Sequence, residues 1–172
     1  MRSSGAAIWQ YGASLLEFSV AFLIICILSA TILQRLLYVQ EYAEKMAMEL
    51  MISNLQTALR VKVGELLIAD RAKEISALAG ANPVDWLESQ PENYRGARNG
   101  APSADSKGQW YFDTATRELV YTAAWRSHFS SPTRSDYTVR LKVRQIPNTD
   151  EGSLQGQPVW VRLAVINDYT WF

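Results

Sequence analysis

Residues 12–33 read GASLLEFSVAFLIICILSATIL, and the rest of the chain is organised around this stretch. Between Ala13 and Leu33 the only ionisable side chains are the carboxyl group of Glu17 and the thiol of Cys26. A helix rises about 1.5 Å per residue, so about 20 residues cross a hydrocarbon core of about 30 Å. Residues 13–33 are therefore predicted to form one membrane-spanning helix, in which Glu17 is the unusual residue.

The segment before this helix favours a cytoplasmic N-terminus. Only Arg2 and the α-amino group are positively charged there, and Arg35 follows the helix, so the positive-inside rule gives this orientation a small preference. A cleaved secretory signal is disfavoured, because the apolar run is too long and Ser29-Ala30-Thr31 is a poor cleavage site.

The composition of the whole chain excludes several classes of protein. Its 172 residues include 17 Lys and Arg and 17 Asp and Glu, so the net charge gives no argument for a nucleic-acid or acidic partner. The single cysteine, Cys26, excludes an intramolecular disulfide. About 140 residues follow the span, enough for one domain with a modest core.

Residues 34–79 are predicted to continue the helix beyond the membrane. No Gly or Pro occurs between Ala13 and Val63. Apolar residues recur at helical spacings of three and four, namely at Met48, Ile52, Leu55, Leu59, Val63 and Leu66. This stripe predicts one helix face that packs against the rest of the domain.

Three local features refine this helix. Gly64 is a candidate kink, and Glu65–Ala79 has an apolar stripe of its own that ends before Gly80, a predicted helix stop. Glu41 and Lys45 are expected to form an ion pair one turn apart.

Residues 80–172 are predicted to form an α+β head domain. Asn82-Pro83 starts a short helix that ends near Ser89, and residues 90–108 are expected to be an exposed loop. Beyond Gly108 the apolar period changes to two, which predicts strands at Gln109–Phe112, Glu118–Ala123, Asp136–Gln145 and Pro158–Asn167. The predicted fold is an antiparallel sheet of about four strands packed against the long helix.

The N-terminal pattern matches a known family. Gly12, a Glu at the fifth residue after it and an apolar helix over residues 13–33 resemble the prepilin-type N-terminus, which type IV pilins share with the pseudopilins of type II secretion. The order of a long helix followed by an antiparallel sheet extends this resemblance over the chain. The segments NPVDWL (82–87), ENY (92–94) and WYFD (110–113) look like the minor-pilin or pseudopilin-like branch.

The resemblance implies a processing and assembly pathway. Residues 1–12 would be a leader, cut between Gly12 and Ala13 by a prepilin peptidase at the cytoplasmic face, with N-methylation of Ala13. The subunit would be stored in the inner membrane as a single-pass protein with a periplasmic head. It would then join other pilin or pseudopilin subunits at an inner-membrane assembly platform, in a pilus or pseudopilus. Phenylalanine usually follows the cut, whereas this chain has Ala13.

The same resemblance gives Glu17 a partner. Cleavage creates an amine at Ala13, one helical turn from Glu17, and the family's arrangement pairs this carboxylate with the terminal amine of a neighbouring subunit. In a low dielectric such a pair specifies register. The alternative is a signal anchor in which Glu17 reaches the lipid headgroups.

A basic stripe is the one candidate ligand surface. Arg140, Lys142 and Arg144 share one face of a predicted strand, and Trp160 and Arg162 join them if the last strand pairs beside it. Positive charge beside an aromatic ring is typical of surfaces that bind nucleic acid or an acidic partner. A solvated sheet face with one partly buried Trp is the plainer interpretation.

The sequence predicts a structural protein and not an enzyme. His128 is the only histidine and has no cysteine at a metal-binding spacing, and the chain has no G-x-S-x-G, P-loop or H-E-x-x-H motif. No cofactor or metal is expected. The predicted function is a minor subunit of a type IV pilus or a type II secretion pseudopilus. The alternatives are a single-pass inner-membrane protein with a periplasmic binding domain, and a minor pilin that binds DNA or a surface.

Overall fold

The computed structural model describes residues 15–100, 106–132, 137–146 and 160–172. The chain divides into two compact units, Met1–Val39 and Gln40–Phe172, and we call the second the head unit. One helix, α1 (Leu15–Ile68, 54 residues), has residues in both. The α+β fold and its long apolar N-terminal helix are confirmed, while the predicted leader, residues 1–12, lies outside the described residues.

Helix α1 ends in a Schellman motif. Asp70 adopts a left-handed backbone (φ 56°), the Arg71 amide donates to the Leu66 carbonyl at 2.8 Å, and the Asp70 amide donates to the Leu67 carbonyl at 3.2 Å. The predicted helical continuation to Ala79 is therefore wrong. The left-handed residue after a helix is usually a glycine, but Asp also tolerates this conformation. The sequence therefore has no glycine to mark the end of α1, and apolar periodicity alone does not show it.

Two short 3-10 helices connect α1 to the sheet. The first is Ala72–Leu78, and the second, Pro83–Trp86, begins where predicted, because the Asn82 side chain accepts a hydrogen bond from the Val84 amide at 3.3 Å. It is shorter than the predicted helix to Ser89. Gly80 directly follows Ala79, the C-cap of the first 3-10 helix, so the predicted helix stop is confirmed for this short helix. Gly80 has φ 72°, and its amide donates at 2.9 Å to the carbonyl of Val143 in the sheet.

The main sheet has five strands in the order β1-β2-β3-β5-β6. All neighbouring pairs are antiparallel except β1 with β2, which is parallel. The strands are β1 (Tyr94–Arg98), β2 (Gln109–Asp113), β3 (Glu118–Thr122), β5 (Thr138–Ile146) and β6 (Trp160–Val165). The last four correspond to the predicted strands. Strand β1 lies within residues 90–108, which are predicted to be a loop, so that prediction is wrong for Tyr94–Arg98.

A second, two-stranded sheet was not predicted. Strand β4 (Phe129–Ser130) pairs antiparallel with β7 (Thr170–Trp171), with Phe129 opposite Trp171. Their rings meet edge to face with centroids 5.2 Å apart. Strands of two residues are too short to show a period of two.

One face of the main sheet packs on the head-unit part of α1. The helix contributes Met48, Leu55, Leu59, Val63 and Leu66, all buried. From the sheet come residues that alternate along each strand, as a half-covered sheet requires: Trp110, Phe112, Leu119, Tyr121, Val139, Leu141, Val143, Val161 and Leu163.

The other face of the sheet is not uniformly solvated, contrary to the simple alternation predicted for β5. Tyr111, Val120 and Arg140 lie opposite one another on adjacent strands, and each is buried. Arg140 forms an ion pair with Glu118 at 3.2 Å. The guanidinium of Arg98 lies 4.9 Å from the centre of the Tyr111 ring. This centre of the face is thus covered by the sheet's own side chains.

Candidate functional site

The first part of α1 is the most unusual surface of the chain. Every side chain from Leu15 to Val39 is exposed, and most of them are apolar. By length and composition α1 is able to cross a membrane, a test that signal sequences and the core helices of soluble proteins also pass. In water an apolar surface of this extent requires lipid or protein around it.

Glu17 lies in the first turn of α1, as the sequence places it. Two residues later, the Ser19 hydroxyl donates to the Leu15 carbonyl at 2.7 Å. Gly12 and Ala13, the predicted processing residues, lie outside the described residues.

A second apolar surface lies on the head-unit part of α1. Tyr42, Met46, Leu50, Val61 and Ile68 are between 46% and 91% exposed. All of these except Tyr42 lie two positions along the chain from a core residue. Two positions correspond to a rotation of about 200° around the helix axis. The helix therefore has two opposite apolar sides, one packed on the sheet and one open, and we call the open one the outer stripe.

Glu41 is a buried carboxylate at the start of the head-unit helix, 2% exposed. It accepts hydrogen bonds from the backbone N–H of His128 at 2.8 Å and from Nε1 of Trp171 at 3.1 Å. Its second oxygen lies 2.9 Å from His128 Nδ1. The predicted pair of Glu41 with Lys45 is wrong, because Lys45 contacts Glu49 at 3.8 Å instead.

These contacts change the acidity of Glu41. Burial acts to raise its pKa, but the hydrogen bonds from His128 and Trp171 together outweigh burial and lower the pKa below its ordinary value of 4.5. The charged form of Glu41 is therefore the one that the fold stabilises.

Glu44, one turn later, binds the chain segment that follows β3. One oxygen accepts from the Tyr121 hydroxyl and from the Ala124 amide, both at 2.7 Å, and the other accepts from the Trp125 amide at 2.9 Å. Burial and the nearby Glu44 carboxylate raise the pKa of Tyr121, so its hydroxyl remains a donor. Glu41 and Glu44 together form what we call the carboxylate anchor.

Sequence reasoning missed the carboxylate anchor, although a signal for it exists. Glu41, Met48 and Leu55 are spaced by seven residues, so they lie on one side of a helix. That spacing places Glu41 on the apolar face, where a carboxylate needs donors from elsewhere in the fold.

The structure brings together part of the predicted basic stripe. Lys142, Arg144 and Arg162 share a face of the sheet with Trp160, and Arg144 lies directly opposite Arg162 in the pairing of β5 with β6. Arg140 does not belong to this exposed group, because it is buried and paired with Glu118. Lys142 donates to the Thr116 carbonyl at 2.7 Å.

A groove of about 370 Å³ separates the C-terminal part of α1 from strand β6. Buried Leu59, Val63, Val161 and Leu163 line it together with exposed polar residues. Within the described part of the chain, no group of three or more His, Cys, Asp or Glu side chains is arranged to hold a metal ion.

Comparisons with protein-family models, with curated proteins and with solved structures found no match to this chain.

Proposed function

We propose that this chain is a minor structural subunit of a type IV pilus or of a type II secretion pseudopilus. The observation that carries the proposal is the segment Leu15–Val39, which is helical and exposed throughout and mostly apolar, with Glu17 in its first turn. Such a helix needs lipid or other helices around it. A subunit that is stored in a membrane has lipid around this helix, and after polymerisation it has the helices of other subunits there.

The stored form is a single-pass inner-membrane protein with its N-terminus in the cytoplasm and its head in the periplasm. The end of the membrane span is supported by Arg35, whose guanidinium lies 5.8 Å from the centre of the Tyr38 ring just past residue 33. Basic and aromatic side chains are favoured at the membrane interface.

Processing and assembly follow from the prepilin-type N-terminus. A prepilin peptidase removes residues 1–12 by cutting between Gly12 and Ala13, and Ala13 becomes N-methylated. The inner-membrane assembly platform then moves the subunit from lipid into the fibre.

Glu17 sets the register in the fibre. Its carboxylate pairs with the terminal amine at Ala13 of a neighbouring subunit, and a charge-assisted hydrogen bond between closely packed helices is both strong and directional. A shift of one helix along another separates these charges, so the pair selects one arrangement.

The outer stripe extends the assembly surface into the head unit. Its exposed members recur about every four residues from Tyr42 to Leu50, followed by Val61 and Ile68. An apolar stripe of this spacing suits packing against a neighbouring helix.

N-terminal sequencing of the mature protein tests the processing step. In cells with a prepilin peptidase the chain is expected to begin at Ala13, and in cells without it at Met1. A chain that keeps Met1 in both, or one cut near Thr31, contradicts the proposal.

Substitution of Glu17 tests the pairing. Glu17→Ala is expected to insert into the membrane normally but to enter sheared fibres at least about tenfold less, because a buried charge loses its partner. Ser19→Ala is the matched control on the same helix, since it removes only a local hydrogen bond to Leu15. Equal amounts of both variants in fibres would refute the role of Glu17.

The second candidate is a single-pass membrane protein whose head binds a ligand without polymerising. The groove between α1 and β6 is the observation that favours it. An uncleaved chain that remains in the membrane in cells with the peptidase would select this function.

A further inference from the structure

Among the residues that the structure describes, strand β6 is an edge of the main sheet. It is the last strand in the order, and β5 is the described strand that pairs with it. An edge strand presents backbone N–H and C=O groups that another strand is able to bind. Beyond this edge lies the groove toward α1.

The side of this edge that faces α1 is apolar. Val161 and Leu163 belong to the core, and Leu59, Val63 and Leu67 of α1 continue the apolar lining across the groove. A strand added beside β6 would place every second side chain against this lining.

The opposite side of the same edge is positively charged. Arg144 and Arg162 are exposed and directly opposite each other, and like charges in this position destabilise a sheet. Neither guanidinium forms an ion pair or hydrogen bond with any residue that the structure describes. Arg60 and Arg162 line the groove, and its described lining residues include no carboxylate. An anionic group here would relieve the repulsion.

We propose that β6 binds an extended segment of a partner protein in which apolar and acidic residues alternate, added to the sheet as a further antiparallel or parallel strand. The two faces of the edge select this alternation: apolar side chains enter the groove, and carboxylates reach Arg144 and Arg162. Backbone hydrogen bonds supply affinity, and the alternating side chains supply specificity. This binding does not depend on whether the chain polymerises.

The probe is a fluorescently labelled peptide of alternating valine and glutamate, titrated with the full chain in neutral detergent and followed by anisotropy. Saturable binding is expected. A peptide with glutamine in place of glutamate is expected to bind at least about tenfold more weakly. N-methylation of the peptide backbone along one edge is expected to abolish binding, because it removes the donors that pair with β6.

Charge reversal of the two arginines gives the sharpest variant. Arg144→Glu with Arg162→Glu keeps a like-charge pair in place, so it leaves the internal stability nearly unchanged. It is expected to lose at least about tenfold affinity for the glutamate peptide and to gain affinity for a valine–lysine peptide. The matched control is Arg95→Glu with Lys107→Glu, which changes the net charge equally at two exposed positions away from β6 and should leave binding unchanged.

Filling the groove tests the apolar side without altering any charge. Gly64 lines the groove, and a Cβ there meets no atom within 4 Å, so the ring of Gly64→Phe is expected to enter this open space. Gly64→Phe alone is expected to weaken binding of the glutamate peptide. Combined with Arg144→Glu and Arg162→Glu, it is expected to weaken binding of the valine–lysine peptide.

Several results would overturn the proposal. Equal binding of the glutamine peptide, or unchanged binding after charge reversal, would show that the arginines recognise nothing in the segment. Tighter binding of oligothymidylate or of anionic vesicles at the same arginines would assign the surface to nucleic acid or lipid. Full binding to the Gly64→Phe variant would show that the groove is not used.

Discussion

The two ends of the head-unit helix are held to the sheet in opposite ways. Near its start, Glu41 and Glu44 draw three backbone amides, a hydroxyl and an indole into hydrogen bonds. Near its end, Arg60 and Gly64 border an open groove, and the contacts there are apolar. The start of the helix is fixed to the rest of the head unit by directional hydrogen bonds, whereas an open groove borders its end.

The difference indicates how a short sheet is positioned on a long helix. Apolar contacts are not directional, so they tolerate sliding of the helix along the sheet. Hydrogen bonds to buried carboxylates do not tolerate such sliding, since each donor left without its acceptor costs about 1–3 kcal/mol. The carboxylate anchor therefore specifies the register of helix and sheet, and the groove end is available for another role.

The largest effect is expected from Glu41→Ala, which removes the more deeply buried carboxylate of the anchor. The amide of His128 and the indole N–H of Trp171 lose their acceptor, so the free energy of unfolding should fall by about 3 kcal/mol. Urea unfolding of the full chain in detergent, followed by tryptophan fluorescence, measures it. Glu49→Ala is the control, because its contact with Lys45 is exposed, and its change should stay within about 0.5 kcal/mol. Equal losses in the two variants would mean that buried Glu41 contributes no more to stability than an exposed carboxylate, which would contradict the role of the anchor.

A smaller effect is expected from acid. The folded-state pKa of Glu41 lies below its unfolded value, so its contribution is complete above the unfolded pKa and is lost as the pH falls through the folded pKa. The free energy of unfolding should therefore decrease as the pH falls below the ordinary Glu pKa of 4.5. His128 is the titratable group in contact with Glu41, and Lys45 and Glu44 lie on the next turn.

The Glu41→Gln variant isolates this contribution, because other carboxylates such as Asp113 also have a lowered pKa. Its unfolding should depend less on pH over the same range than that of the parent chain. Identical pH profiles would exclude Glu41 as the cause.

The smallest effect, of opposite sign, is expected at the groove end. Gly64→Ala should raise the free energy of unfolding by up to about 1 kcal/mol, because alanine favours a helix and its Cβ enters open space. Gly80→Ala is the contrasting substitution. Gly80 has φ 72°, and an added Cβ would lie 3.0 Å from Arg117 Cδ, so Gly80→Ala should destabilise the head unit. Thermal unfolding of both variants checks the signs, and a loss of stability at Gly64 would mean that the groove end is tightly packed.

The parts of the fold that sequence reasoning predicted are those with a long apolar period. The stripe from Met48 to Leu66 and the alternation in β5 and β6 predicted most of the residues that pack in the core, although Tyr137 and Val165, which the alternation also places on the inner face, are exposed. Strand β1 carries no such signal: its sequence YRGAR has a glycine and two arginines, and it is a strand because its backbone pairs with β2.

The residues of the candidate site also differ in whether the sequence alone predicts their role. The apolar segment and Glu17 are visible in composition alone, whereas the carboxylate anchor depends on donors that are distant in sequence. The basic stripe was predicted from alternation, but the burial of Arg140 against Glu118 depends on the neighbouring strand β3. Periodicity along one strand does not report what lies beside it.

The long sequence separations at Glu41 have a consequence for the time course of folding. Its donors come from residues 87 and 130 positions later in the chain. Because synthesis proceeds from the N-terminus, the helix is complete long before β7 exists, and closing so large a loop is slow. Until Trp171 arrives, Glu41 lacks one of its donors, so the start of the head-unit helix is not yet fixed to the rest of the head. The nascent head is therefore expected to be a substrate for chaperones, and release of the chain from them should wait for the arrival of Trp171.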